Sequence, residues 1–130
     1  MLGKEAWKLY EDYKDEEALT FINQALEYDK RHSSNWNRKA IILEGLEMFD
    51  ESKECYDRSL SLKKSKVVIE NKARMIKDYA GILCRQGYLM FAIDILSEAI
   101  GDLSSIKTDE DIAEYEKLLK TIQDRYDRGY

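Results

Sequence analysis

The sequence predicts an all-α fold built as an array of helix-turn-helix pairs, with about seven helices in 130 residues. Three observations carry this expectation. Ala6, Leu9, Ala18, Ile22, Ala25 and Leu26 recur 34 residues later as Ala40, Leu43, Ser52, Tyr56, Ser59 and Leu60, and 40 residues beyond those as Ala80, Leu83, Ala92, Leu96, Ala99 and Ile100. Small residues replace small and large apolar replace large at one shift per copy, which marks an internal repeat. Apolar residues fall three and four apart almost throughout, the spacing of one helix face. Proline is absent, and no alternation bounded by turn dipeptides marks a strand.

Each element follows from local signals. A first helix is expected over about 2–13, with Leu2, Ala6, Leu9 and Tyr13 on one stripe. Asp15 offers an N-cap for a second, to about residue 30, carrying Ala18, Ile22, Ala25 and Leu26. Ser33 or Ser34 caps a third, which carries Trp36, Ala40 and Leu43 and ends near Gly45 to Met48. Asp50 caps a fourth, with Tyr56, Ser59, Leu60 and Leu62 inward. The fifth looks longest, about 66–86, and Gly87 stops it, because glycine tolerates the left-handed conformation of a helix end. A sixth covers about 88–102, followed by a polar linker with Ser104, Ser105 and Lys107. Thr108 and Asp111 resemble a capping box for a last helix over about 109–127, with Ile112, Tyr115, Leu119, Ile122 and Tyr126 in phase. Tyr13, Glu47 and Gly87 occupy equivalent turns, and only the third copy keeps glycine. The repeats are placed at about 1–32, 33–66 and 67–103, within one domain over 1–130.

Composition narrows the function classes. At 44% apolar and 36% charged, the chain has too much apolar content for a disordered segment. A net charge of −5 argues against bulk nucleic-acid or anionic-membrane binding, both of which need a basic excess. No apolar run approaches the ~20 residues of a membrane span, and the N-terminus lacks a secretory signal. Cys55 and Cys84 lie among helical apolar positions and read as reduced, mostly buried thiols of a cytoplasmic protein.

The central copy carries a family resemblance: Trp36-x-x-Lys39-Ala40-x-x-Leu43, then Phe49, Ser52, Tyr56, Ser59 and Leu60. This pattern resembles the tetratricopeptide repeat (TPR). The first copy has Leu2 where the tryptophan would stand, and the third has Ile76. Lys30 and Lys64 replace the usual closing proline, and the third copy arrives six residues late, so its first helix is expected to be extended at the front. The resemblance covers about 1–102. It implies a right-handed superhelix whose concave surface is lined by the first helix of each pair. It also implies binding of peptides or partner proteins rather than catalysis, and makes the last helix a cap over the final repeat.

Catalytic and metal chemistry find no foothold in the residues. His32 is the lone histidine, in a predicted turn, and no Cys/His cluster has metal spacing. Neither cysteine has a histidine placed to activate it. Asp109, Glu110 and Asp111 read as first-turn acids that complement a helix dipole. No enzyme activity, metal or cofactor is expected.

Helical spacing assigns the partner-facing positions of each first helix. They are Gly3, Trp7, Tyr10 and Glu11 in copy one, and Ser34, Asn37, Arg38, Ile41 and Glu44 in copy two. In copy three they are Arg74, Lys77, Asp78, Gly81 and Arg85. An aromatic end, a mixed middle and a basic end suit an acidic segment with an apolar anchor. The plainer alternatives are that Trp7 packs in the core and that the cations are solvated helix surface. Chaperone-binding members of the family clamp a C-terminal carboxylate at positions that here hold Gly3, Trp7, Arg38, Arg74 and Asp78. Arg74 alone keeps a suitable charge, so that ligand is disfavoured. The expected function is a non-enzymatic scaffold binding a protein or peptide in the concave groove, through Trp7, Tyr10, Asn37, Arg38, Ile41, Arg74, Lys77 and Arg85. Two alternatives stand beside it. One is self-association through the apolar stripe of the last helix, which resembles a coiled-coil seam. The other is a piece of a longer array.

Overall fold

The structure, a computed structural model, describes residues 3 and 14–129. Six helices run in order among them: α1 (Asp15–Tyr28), α2 (Ser33–Gly45), α3 (Phe49–Leu62), α4 (Lys66–Gln86), α5 (Leu89–Ser104) and α6 (Ile112–Asp127). No strand occurs among the described residues. The predicted helix over 2–13 lies outside them, apart from Gly3. The chain divides into two units, Met1–Val68 and Ile69–Tyr130.

In the first unit α1 packs on α2 and α2 on α3. Ala18, Ile22 and Ile42 form a buried cluster, edged by Leu19, Phe21 and Leu46. The small residues at the repeat positions set how closely the backbones approach. Ser52, on α3, is fully buried and donates its hydroxyl to the Ala40 carbonyl of α2 at 2.7 Å. Ser59 does the same to the Ser33 carbonyl at 2.8 Å. Serine at an alanine position is tolerated because each hydroxyl finds a carbonyl, so no buried polar atom is left unmatched.

In the second unit Tyr79 and Phe91 meet edge to face, 5.9 Å between centroids, joining α4 to α5. The α5 stripe Leu89, Ala92, Ile95, Leu96, Ala99 and Leu103 is buried. Against α5 lies α6, with Tyr115 and Ile122 as its buried residues.

The repeat is visible in the hydrogen bonds themselves. Ala18, Ser52 and Ala92 each donate a backbone N–H to the carbonyl four residues back, on Lys14, Met48 and Tyr88. Helices α2 and α4 end in the same motif. Met48 N–H reaches Leu43 O at 2.9 Å and Glu47 N–H reaches Glu44 O at 2.9 Å, while Tyr88 reaches Leu83 at 2.9 Å and Gly87 reaches Cys84 at 3.1 Å. This Schellman closure requires a left-handed residue, and Glu47 (φ 59°) and Gly87 (φ 89°) supply it.

Four expected caps differ in detail. Lys14 and Met48, not Asp15 and Asp50, stand at the N-caps of α1 and α3; the acids are in the first turn, where they meet the dipole. His32, not Ser33 or Ser34, caps α2, its Nδ1 accepting from Asn35 N–H at 3.2 Å. Asp111 caps α6 by accepting from Ala113 N–H at 3.1 Å. The expected box with Thr108 does not form, because Thr108 turns to Glu70 and α6 starts at Ile112 rather than near 109.

The late arrival of copy three is an extension at the front of α4. Shifted by 40, the first residue of α2 falls on Ala73, yet α4 begins at Lys66. The added turns bury Val68, Ile69 and Lys72.

Candidate functional site

In the second unit, Arg74 and Lys77 stand one turn apart on α4. Helical spacing puts them with Asn71 and Glu70 on one side of the helix. The chain's own C-terminal segment lies against that side. Residues 106–111 form an irregular strap between α5 and α6. On the strap, Thr108 donates its hydroxyl to the Glu70 carboxylate and accepts from Glu110 N–H at 3.0 Å. Glu110 sits 3.7 Å from the Arg74 guanidinium, which also donates to Asn71 at 2.6 Å. In the first turn of α6, the Glu114 carboxylate is 3.4 Å from Lys77 Nζ. The same ammonium lies 5.0 Å above the Tyr115 ring, a cation–π contact. Farther along, Arg125 donates to the Cys84 carbonyl, closing the far end of the contact.

Tyr115 is the anchor of this arrangement. It is 1% exposed, and its hydroxyl donates to Glu110 at 3.0 Å. Burial, reinforced by that hydrogen bond, pushes the phenol well above its ordinary value. The phenol is therefore held neutral, a donor to the carboxylate that also faces Arg74. Ile122, fully buried two turns on, completes the apolar hold.

Two further cations of copy three lie elsewhere on α4. Arg85, exposed near the end of α4, has its guanidinium 3.7 Å from where a Cβ at Gly81 would stand. Lys72 is 4% exposed, with its ammonium 3.1 Å from Glu98 and 3.8 Å from Asp102 on α5.

In the first unit, of the α2 positions expected to face a partner, Asn37, Arg38, Ile41 and Glu44 are half-buried and Ser34 is exposed. Arg38 donates to Asn35 Oδ1 at 2.9 Å, and Glu44 accepts from the Tyr56 hydroxyl at 3.0 Å. Asn35 is itself buried, and a Cβ placed on Gly3 would stand 2.6 Å from its Oδ1, so glycine at position 3 permits the approach. Trp7 and Tyr10 lie outside the described residues.

Beside α2 and α3 is a cleft of about 240 Å³ lined by Trp36, Lys39, Leu43, Glu51, Glu54, Cys55 and Arg58. Lys39 and Arg58 lie 5.5 and 5.4 Å from the centre of the Trp36 ring, whose Nε1–H donates to Lys30 O at 2.8 Å. Burial pushes the Cys55 thiol up to about 11, which keeps it protonated at neutral pH. Cys84 is half-buried rather than buried, with Sγ 3.4 Å from the Arg125 guanidinium.

No family model and no curated protein matches this sequence. The fold does match a solved one. The crystal structure of PcrH in complex with the chaperone binding region of PopD aligns with a TM-score of 0.68 and 14% identity, over 96% of this chain and 90% of that one. The two chains share a fold. The all-α helical repeat read from the sequence is thus seen in the helices themselves and in a known protein. No described helix is long and apolar enough to cross a membrane.

Sequence reasoning placed Arg74 and Lys77 on a common face but missed what meets them. Two cations one turn apart on one helix and two acids about one turn apart near another were the available signal. Lys72, a cation at helical spacing from the apolar Val68, Ile69, Met75 and Ile76, and Glu98 with Asp102, one turn apart on α5, gave a similar one.

Proposed function

We propose that this chain is a TPR-like, non-enzymatic scaffold that binds a protein or peptide segment in the concave groove such repeats form. The partner-facing residues are Trp7, Tyr10, Asn37, Arg38, Ile41, Arg74, Lys77 and Arg85, and the ligand is an acidic segment with an apolar anchor. The repeat carries this reading: one small/large pattern recurs in three copies, and the first helices of the second and third, α2 and α4, are closed by the same Schellman turn. The fold it shares with PcrH, seen bound to a region of PopD, supports it. So does the chemistry at Arg74 and Lys77, where carboxylates and a tyrosine ring already sit. Protein binding through such a face needs no cofactor.

In the last-helix stripe offered for self-association, Tyr115 and Ile122 are buried within the chain, while Tyr126 stays exposed. The test of the leading reading is Arg74→Glu with Lys77→Glu, helicity checked by circular dichroism, against wild type in affinity capture and mass spectrometry. Loss of the captured proteins is expected. An unchanged set overturns the assignment of these residues.

A further inference from the structure

The contacts of the C-terminal segment deepen the reading just given and rest on it. We infer that the α4 face bearing Arg74 and Lys77 is an acceptor for an acidic, tyrosine-anchored helical segment. Residues 108–125 of the chain are its built-in occupant, displaced when a partner segment of the same chemistry binds.

The match between seat and occupant is specific in kind. Glu110 meets Arg74, Glu114 meets Lys77, and the Tyr115 ring lies beneath the Lys77 ammonium. The stretch from Thr108 to Glu116 holds Asp109, Glu110, Asp111, Glu114 and Glu116 and no cation. A helix that only covered an apolar face would need Tyr115 and Ile122. It would not need two carboxylates set on two cations.

The occupant is also built to leave. Arg74 and Glu114 are more than half exposed, at 51% and 62% of their side chains, so water competes for both ion pairs. The strap over 106–111 has no regular structure to unfold before α6 can swing away. Tethering gives the occupant a high effective concentration, so a partner binds with an apparent affinity reduced by the fraction of time the seat is open. Loosening the tethered copy should raise the affinity of a free one.

The experiment uses the full chain and a fluorescein-labelled synthetic peptide of residues 106–128, read by anisotropy. Wild type should bind it weakly. Ile122→Ala, which removes a buried contact of the tethered copy but leaves Arg74 and Lys77 in place, should bind it at least ~10-fold more tightly. A peptide carrying Glu110→Lys and Glu114→Lys should bind neither chain. Should Ile122→Ala lose its helical spectrum, a Glu110→Gln/Glu114→Gln chain takes its place, with a gain of about threefold expected. Equal binding by wild type and the loosened chain, with the charge-reversed peptide still rejected, overturns the built-in occupant and leaves the acidic-partner reading standing. Indifference to peptide charge in every chain overturns both.

Discussion

Ile122→Ala is the perturbation that measures how α6 is held. The side chain is 0% exposed. Truncation removes three carbons, worth about 0.8 kcal/mol each in transfer, and leaves a cavity that raises the total to about 3 kcal/mol. The polar contacts of the same segment are weaker. The Arg74–Glu110 and Lys77–Glu114 pairs each have one partner more than half exposed and contribute about 0–1 kcal/mol apiece. One buried isoleucine should therefore outweigh both ion pairs together. The assay is urea unfolding followed by circular dichroism, with amide exchange read over Ile112–Asp127. If α6 opens without the rest, its amides lose about a hundredfold in protection while those of α1 to α3 stay unchanged. A loss below about 1 kcal/mol, or a larger loss from Glu110→Gln/Glu114→Gln than from Ile122→Ala, would refute the ranking of burial over charge.

Other consequences can be checked on the same material. Glu47→Gly should raise stability by about 0.5–1 kcal/mol, because Glu47 holds the left-handed conformation that Gly87 holds without strain, and Gly87→Ala should cost about 1 kcal/mol; both read as shifts in the urea midpoint. The raised Tyr115 phenol favours the fold while it is protonated, so its contribution is complete below the ordinary tyrosine value of ~10 and is lost as pH rises above it; the urea midpoint should fall more steeply above pH ~10 in wild type than in Tyr115→Phe. Cys55, raised from 9.0 to about 11, adds a loss of the same sign between those values, and in native protein near pH 8 it should stay unmodified by a thiol reagent that labels it in urea. Lys72→Met should cost less than ~1.5 kcal/mol, since an apolar chain of similar length fills the space and half-exposed Glu98 and Asp102 turn to water, whereas Lys72→Ala should cost ~2–3 kcal/mol in lost packing.

The helical array was legible because its causes are local. The small residues Ala18, Ser52 and Ala92 share full burial, and so do Ile22, Leu96 and, within 1%, Tyr56 at the next position. Their spacing alone announces this. The extension of α4 was legible too, as a shift of 40 where 34 had come before. Caps were read less well. Ring nitrogens are rare capping groups, so the serines after His32 drew attention from it, although His32 Nδ1 makes the bond. The site was half legible: helical phase puts Arg74 and Lys77 on one face, but what crosses a face depends on the path of the strap. That path is set by Thr108 binding Glu70, a pair 38 residues apart that no periodicity reveals.

The front extension of α4 limits how interchangeable the repeats are. Its added turns carry Glu70, which holds the strap, and Lys72, which gathers Glu98 and Asp102 near the end of α5. A repeat of ordinary length grafted into this place would keep the small and large apolar pattern and stack well. It would arrive without either fastening, and the C-terminal segment would have nowhere to begin its return. The third copy is therefore tied to the segment that follows it: a repeat inserted between α5 and α6 would require rebuilding α4.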